Sequence, residues 1–282
     1  MTSKNQPRTF HELFSEKKPI IGMLHLPALP GSPKHQLALE VIIEQAKAEL
    51  DALIKGGVDA ILVENYHDAP FLPNAVEEWT VVTMTIIVHE IVKSSSKPVG
   101  VNLLRNACMQ SLLIAAFSGA KFIRCNFYTG VYVSDQGLIQ GCAPELKRLQ
   151  ARLKSFLPPA IPLIFADVHC KHAKPLGSRG IVEEVRDAFD RGLADAVIIS
   201  GTRTGVAPTM AVLEELKKHS LGPILLGSGL TAQNAEDYFT RVDGAIVGTF
   251  FKKDGKIANP IDRQRVEELV RKIKGKEKQS IS

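Results

Sequence analysis

The sequence predicts a single (β/α)₈ barrel, the α/β fold in which eight parallel strands alternate with helices. Its 282 residues fit one such domain, since these barrels commonly hold about 250 residues. Eight short runs rich in β-branched residues are each followed by a helical pattern, and that alternation favours a parallel sheet. The predicted strands are Pro19–His25, Val58–Glu64, Pro98–Leu104, Lys121–Asn126, Pro162–His169, Asp195–Ser200, Pro223–Gly227 and Gly244–Gly248.

The segments before several strands share one pattern, in which a helix ends at a glycine and an apolar strand follows a short turn. "GGVDAILVE", "SGAKFIRCN" and "RGLADAVIIS" all show it, and glycine is the usual residue just beyond a helix C-terminus. We expect residues 1–18 to be an extension outside the core, residues 19–274 to form the barrel, and residues 275–282 to be a basic tail. The predicted helices are Gln36–Lys55, Ala143–Phe156, Gly180–Arg191, Pro208–His219 and Ile261–Lys274.

Composition argues against several functions. Aromatic residues make up only 6% of the chain and are not interleaved with basic ones, so no nucleic-acid partner is predicted. No apolar run approaches the ~20 residues of a membrane span, and four scattered cysteines without a C-x-x-C pair are typical of reduced intracellular thiols. We therefore expect a soluble cytoplasmic protein. A mitochondrial or other organelle matrix stays open, because the first acidic residue is Glu12.

Strand alternation places polar side chains in the barrel mouth. In the fifth strand an apolar row faces the helices, so Asp167 and His169 on the opposite face point inward. The same argument applied to the other strands selects six more inward groups, at the barrel end where active sites of this fold lie. The structural alternative is a polar plug, in which Arg124 pairs with a carboxylate of Asp167 or Glu64. The six further inward residues are His25, Glu64, Asn102, Arg124, Asn126 and Ser200.

The loops after the last two strands predict a phosphate site. Gly227, Ser228 and Gly229 lead into a helix expected to begin near Thr231, and Gly248 and Thr249 follow the next strand. Glycines let a ligand approach the backbone, whose N–H groups bind anions, and barrels commonly hold phosphate at these two loops. The alternative is that these glycines only form tight turns. The sixth loop, "SGTRTGVAP", offers further anion contacts. This half of the chain resembles the ribulose-phosphate-binding barrels.

The segment "ADVHCKHAKP" is dense in titratable groups. A carboxylate beside a histidine suits proton transfer, so Asp167 and His169 are candidate catalytic residues, with Glu64 and Lys171 beside them. The same carboxylates together with His169 and His25 would also suit Zn, Mn or Fe. No local ligand spacing supports that alternative, so neither a metal nor a cofactor is predicted.

One long insertion, residues 127–143, follows the fourth strand. Its glycine and aspartate turn residues and the alternating Val131 and Val133 predict a hairpin. Long loops in compact domains are often lids or contact surfaces. We expect this one to be the contact surface if the protein forms a homo-oligomer.

Six motifs together resemble the BtpA family: "IIGMLHLPALPGSP", "ILVENYHDAPF", "VGVNLLRNA", "VSDQGLIQGCAPE", "ADVHCKHA" and "LLGSGLTAQNA…DGAIVGTFFKKDG". The resemblance runs from about Pro19 to the last helix and implies a ribulose-phosphate-like barrel. It adds Asn65 and Lys171 to the shared motif residues. Members are linked to photosystem I biogenesis and to sugar operons, and some are labelled nucleotidases. No Walker-type phosphate loop is present.

Two functions follow from the sequence. The first is an enzyme of unknown reaction that acts on a phosphorylated small molecule, a sugar phosphate or a nucleotide, at the C-terminal face of the barrel. The second is a non-catalytic assembly or stability factor of the kind linked to photosystem I.

Overall fold

Eight parallel strands close into a barrel, as the alternation predicts. The computed structural model describes residues 9–14, 16–157 and 161–277. Each of the eight predicted strands is present within two residues of its expected ends. The barrel strands are β1 (Ile20–His25), β2 (Ala60–Glu64), β3 (Val99–Asn102), β4 (Phe122–Cys125), β7 (Leu163–Val168), β9 (Ala196–Ile199), β10 (Ile224–Leu226) and β11 (Gly244–Val247). Around the barrel their order is β1-β11-β10-β9-β7-β4-β3-β2.

Helices connect the strands around the outside of the barrel. The first long one ends at Gly56, and Gly57 adopts a left-handed conformation that returns its N–H to the last turn, as the glycine pair predicts. The helices are α1 (Phe10–Leu13), α2 (Leu39–Gly56), α3 (Glu78–Ser94), α4 (Cys108–Ser118), α5 (Ala143–Lys154), α6 (Ile181–Arg186), α7 (Met210–His219), α8 (Ala235–Phe239) and α9 (Arg263–Glu277).

The core has two layers, which follow strand alternation. In β2, Ile61 and Val63 belong to the layer between strands and helices, whereas Ala60 and Leu62 fill the barrel interior. The same alternation holds in the other barrel strands. It fixes which side chain each strand presents at its C-terminal end, and this decides the composition of the site.

The N-terminal segment closes the bottom of the barrel, which corrects the expectation that it lies outside the core. Phe10, Leu13 and Phe14 are buried in the interior layer, and the rings of Phe10 and Phe165 lie 5.6 Å apart. Residues 1–8 and the final five, 278–282, lie outside the described residues. At the other end α9 continues to Glu277, past the predicted boundary at residue 274.

The insertion after β4 forms the predicted hairpin. Strands β5 (Val131–Ser134) and β6 (Gly137–Gln140) pair antiparallel, and a third strand, β8 (Ala173–Pro175), joins them from the loop after β7. The sequence does not predict this third strand, because three residues are too few to show alternation. The small sheet therefore connects the insertion to the segment that follows Asp167.

Candidate functional site

The inward polar residues converge at the C-terminal end of the barrel. They continue the strand face that carries the interior apolar layer, and all are buried. Burying so many polar groups at one end is costly unless they bond one another or a ligand. The residues are His25, Glu64, Asn102, Arg124, Asn126, Asp167 and Ser200.

Arg124 and Asp167 form a buried, two-pronged ion pair. The Arg124 Nε and Nη2 atoms donate to the two carboxylate oxygens of Asp167 at 2.7 and 2.9 Å, and Asn126 Nδ2 donates to the same carboxylate at 3.2 Å. Burial by itself would lower the pKa of Arg124, but the Asp167 carboxylate raises it above its usual value. With its oxygens occupied, Asp167 holds the guanidinium in place, as the polar-plug alternative anticipates.

Glu64 is the carboxylate that faces open space. Asn102 Nδ2 donates a short hydrogen bond to Glu64 Oε2, and His25 Nε2 lies 3.7 Å from Glu64 Oε1. Glu64 and His25 both line the open space of the mouth, whereas Asn102 does not line it and orients Glu64 through this hydrogen bond. An oriented carboxylate beside an imidazole can accept and return a proton.

His169 does not share the face of Asp167, so its predicted place in the mouth is wrong. Strand β7 ends at Val168, and His169 adopts a positive φ of 54°. Strand alternation no longer applies beyond the strand end. The His169 Nε2 atom lies 2.8 Å from Glu184 Oε2 on the outer helix α6, so the ring is engaged away from Asp167.

Asn65, added by the family motifs, is also placed differently. It is fully buried. Its side-chain oxygen accepts from the Leu104 amide at 2.8 Å, and its Nδ2 donates to Asp68 Oδ2 at 2.9 Å. Both ends of the amide therefore bond protein groups, and Asn65 holds the loops after β2 and β3 together.

A cavity of about 220 Å³ joins the predicted phosphate loops to the polar mouth. The loops after β10 and β11 line one side, and the mouth residues line the other. The amides of Ser228, Gly229 and Leu230 border this space and donate to no acceptor among the described residues. Unpaired N–H groups in a concave loop are a common anion site. The predicted residues on the cavity wall are His25, Glu64, Arg124, Lys171, Gly227, Ser228, Gly229, Gly248 and Thr249.

Two details of the phosphate loops differ from expectation. The helix begins at Ala235 instead of near Thr231, because the side chains of Thr231 and Asn234 bond each other's backbone amides and hold a turn ahead of it. The Ser228 hydroxyl donates to Val206 O at 2.6 Å and accepts from the Gly201 amide. Only the backbone of Ser228 is therefore free to meet an anion.

Three residues of the site are not predicted by the sequence. Tyr66 and Arg265 line the cavity, and the Arg265 guanidinium lies 4.5 Å above the Phe250 ring. Arg105, buried, donates to the Lys171 carbonyl. Arg265 comes from α9, and neither helical spacing nor any motif there separates it from solvent-facing arginines. Tyr66 is the second residue after the end of β2, where strand alternation no longer predicts the direction of a side chain.

Four buried polar atoms in the mouth have no hydrogen-bond partner in the described part of the chain. They lie in, or one residue beyond, four different strands, at the barrel end where the cavity opens. Because an unpaired buried polar atom costs about 1–3 kcal/mol, their concentration indicates that a ligand or ordered water completes the site. The atoms are His25 Nδ1, Asn102 Oδ1, Asn126 Oδ1 and Ser200 Oγ.

The free energy of unfolding should depend on pH because the imidazole of His25 is buried in the mouth. Burial, followed by the charges of Lys252 and Lys171, lowers its pKa well below the usual 6.5, so the unfolded chain binds this proton more readily. Its contribution is fully present above pH 6.5 and is lost as the pH falls. We expect the free energy of unfolding, measured with urea between about pH 7 and pH 5, to fall more steeply for wild type than for His25→Gln. Equal slopes would contradict this assignment.

The proposed alternative metal set does not assemble in the mouth, since Asp167 pairs with Arg124 and His169 faces Glu184. Across the described ranges, one group of three side chains lies close enough to hold a metal ion: the thiols of Cys108, Cys125 and Cys142. The Cys108 and Cys125 sulfurs lie 2.6 Å apart, and those of Cys125 and Cys142 lie 3.4 Å apart. Burial raises the pKa of Cys108 and Cys125. All four cysteines are free thiols, and a soft ion is the kind these three would suit.

Comparison with known proteins places the chain among relatives of similar length. A protein of Pyrococcus abyssi is 40% identical over 257 residues, covering 91% of this chain and 96% of its own. The Photosystem I biogenesis protein BtpA of Synechocystis is 41% identical over 260 residues, covering 92% and 89%. A Caenorhabditis elegans protein named as mitochondrial is 32% identical over 269 residues, covering 93% and 95%.

Solved structures with the same barrel are much more distant in sequence. Thiamine phosphate pyrophosphorylase from Pyrococcus furiosus matches with a TM-score of 0.54 at 14% identity, over 92% of this chain and 96% of that one. N-(5'-phosphoribosyl)anthranilate isomerase from the same organism matches with a TM-score of 0.53 at 15% identity, over 92% and 99%. Both likenesses show the barrel fold alone.

Two further findings bear on the class of protein. None of the helices in the described part of the chain is both long and apolar enough to cross a membrane. A model of the BtpA family matches residues 16–275, nearly the whole barrel, in agreement with the motifs of the sequence. The chain belongs to the BtpA family.

Proposed function

We propose that this protein is an enzyme that acts on a phosphorylated small molecule, a sugar phosphate or a nucleotide, at the C-terminal face of the barrel. The observation that carries the proposal is the shared cavity. On one side it has the unpaired amides of Ser228, Gly229 and Leu230. On the other it has Glu64 and Lys171, groups that can move a proton or carry charge.

The parts of the site have separate roles in this proposal. The amides of the β10 loop and of Thr249 hold the phosphate, and Arg265 supplies positive charge beside them. Glu64, oriented by Asn102, is the proton donor and acceptor. Asp167 positions Arg124 and does not move protons itself, since its oxygens are already bonded.

A second candidate function rests on the 41% identity to the Photosystem I biogenesis protein BtpA. A non-catalytic assembly factor would need a partner surface, and the β5–β6 hairpin exposes Val133 and Leu138. The enzyme is the better supported function, because a partner surface would not require the buried charged groups of the mouth.

Self-association through residues 127–143 stays a prediction, which the mass of the protein in solution decides. We propose the cytoplasm as its location, with the mitochondrial relative favouring an organelle matrix as the alternative.

Arg265→Gln tests the phosphate end of the site. The variant removes the positive charge beside the loop amides and keeps a hydrogen-bonding side chain. We expect the affinity for glycerol phosphate or inorganic phosphate to fall about 10- to 100-fold, since a hydrogen bond to a charged group contributes about 1.5–3 kcal/mol. The measurement is the ligand-dependent rise in melting temperature, which reflects about 2.7 kcal/mol when ligand is present at ~100 times its dissociation constant.

Arg263→Gln is the matched control. Arg263 lies on the same helix, is exposed, and pairs with Glu267 one turn along, so its replacement should leave phosphate binding unchanged. If wild-type protein is not stabilised by any phosphate ester, or if both variants bind as tightly as wild type, the proposed phosphate site is refuted.

A further inference from the structure

Lys171 lines two neighbouring cavities. The central cavity of about 220 Å³ and a neighbouring one of about 650 Å³ share its side chain. They also share Glu64, Tyr66 and Thr204. A molecule whose phosphate lies at the β10 loop would therefore extend its remaining atoms toward Lys171.

The backbone of Lys171 is fixed while its amine is not engaged. Arg105 Nη2 donates to the Lys171 carbonyl at 2.5 Å, and the Arg105 guanidinium lies 5.0 Å from the centre of the Phe127 ring. This contact anchors the segment after β7. Rigid support of a reactive group is a requirement of catalytic sites.

The Lys171 amine has no hydrogen-bond or ion-pair partner among residues 9–14, 16–157 and 161–277. Lys171 itself is half-buried, whereas Lys252, the fully buried lysine near the mouth, is held by both carboxylate oxygens of Glu49 at 2.6 and 2.9 Å. Burial, and then the positive charge of Arg124, lowers the pKa of Lys171. A desolvated lysine beside another cation has more of the neutral amine, which is the nucleophilic form.

We propose that Lys171 is a catalytic nucleophile that forms an imine with the carbonyl carbon of a phosphorylated aldehyde or ketone bound in this cavity. The inference rests on the proposed function and names its substrate class. Glu64 and Tyr66 line the same space and are the groups that carry protons during the reaction.

The chemistry balances with the residues present. The Lys171 nitrogen pair attacks the carbonyl carbon, a C–N bond forms, and the C=O π pair moves to oxygen, which takes a proton from the Tyr66 hydroxyl; Tyr66 then regains a proton from solvent. The attacking nitrogen gives a proton to the Glu64 carboxylate. Glu64 then returns it to the hydroxyl of the carbinolamine, which leaves as water while the nitrogen lone pair forms C=N. The protonated imine withdraws electrons from the adjacent carbon of the substrate. Only a substrate with a carbonyl group can form this imine, so the proposed substrate is a phosphorylated aldehyde or ketone.

Reductive trapping tests this chemistry. The full-length protein is incubated with dihydroxyacetone phosphate, or with unphosphorylated dihydroxyacetone, and reduced with sodium cyanoborohydride; the modified lysine is then found by peptide mass spectrometry. We expect modification at Lys171 at least tenfold above any other lysine, and much less with the unphosphorylated ketone. Lys171→Arg keeps the positive charge and should lose the adduct. Lys174→Met, at an exposed position in the same segment, should keep it.

The outcomes separate the two levels of the proposal. If glycerol phosphate and dihydroxyacetone phosphate both raise the melting temperature but no adduct forms on Lys171, the imine is refuted and the phosphate site stands. Modification spread evenly over surface lysines also refutes it, as does an adduct that survives in Lys171→Arg. If no phosphate compound stabilises the protein, the proposed function fails as well.

Discussion

Replacing Asp167 by alanine is expected to lower the free energy of unfolding by about 3–5 kcal/mol, because breaking a buried ion pair leaves an uncompensated charge. The Arg124 guanidinium would lose both carboxylate contacts, of 2.7 and 2.9 Å, in a site where its side chain is only 2% exposed. Unfolding by urea, followed by circular dichroism at neutral pH, measures the loss.

Two comparisons make this prediction specific. Glu267→Ala breaks the exposed pair with Arg263 and should cost at most about 1 kcal/mol. The double variant Arg124→Met with Asp167→Leu removes both charges and should recover much of the stability that Asp167→Ala loses. If Asp167→Ala has the same free energy of unfolding as the wild-type protein, the mouth does not contain the buried Arg124–Asp167 ion pair.

Gly229→Ala is expected to distort the loop after β10 more than an alanine substitution at either of the other glycines of the phosphate site, Gly227 and Gly248. Gly229 has a φ of 77°, and an added Cβ would lie 2.1 Å from the backbone nitrogen of Ala207. The left-handed backbone costs about 1–2 kcal/mol for alanine, and overpacking adds about 1–3 kcal/mol. Because the clash is with backbone, the loop must move, and the amides of Ser228 to Leu230 should lose phosphate affinity by at least about tenfold.

Gly177→Ala is the control for this substitution. An added Cβ at Gly177 meets nothing within 4 Å and its φ is not left-handed, so both stability and phosphate binding should stay at wild-type values. The measurements are calorimetric titration with phosphate and the melting temperature. Unchanged phosphate affinity in Gly229→Ala would contradict the assignment of the anion to this loop.

Strand alternation predicts much of the site because it depends only on a two-residue period. Glu64 and Arg124 are each two residues from an interior apolar residue, and Asn102 lies between Val101 and Leu103, which face the helices, so the sequence alone places all three inward. The rule fails at His169, one residue beyond the end of β7, where a positive φ turns the chain. Alternation therefore identifies residues within strands, and the first residues of a loop need separate evidence.

Other parts of the site depend on contacts between distant segments, which no local pattern encodes. Arg265 reaches the cavity because α9 packs back beside the β11 loop. Ser228 is diverted from the ligand because its hydroxyl bonds Val206 in the preceding loop. Phe10 packs into the interior layer at the bottom of the barrel although it precedes β1. In each case tertiary packing determines the contact, and the sequence around Arg265, Ser228 or Phe10 contains no local pattern that predicts it.

The account predicts that a phosphate group occupies the space between the β10 and β11 loops. Crystals soaked in tungstate, a heavy analogue of phosphate, would locate it by anomalous scattering. We expect the strongest peak within hydrogen-bonding distance of the amides of Gly229, Leu230 and Thr249, near Arg265, and its loss in Gly229→Ala crystals. A strongest peak elsewhere on the protein, with none at these amides, would contradict the central claim.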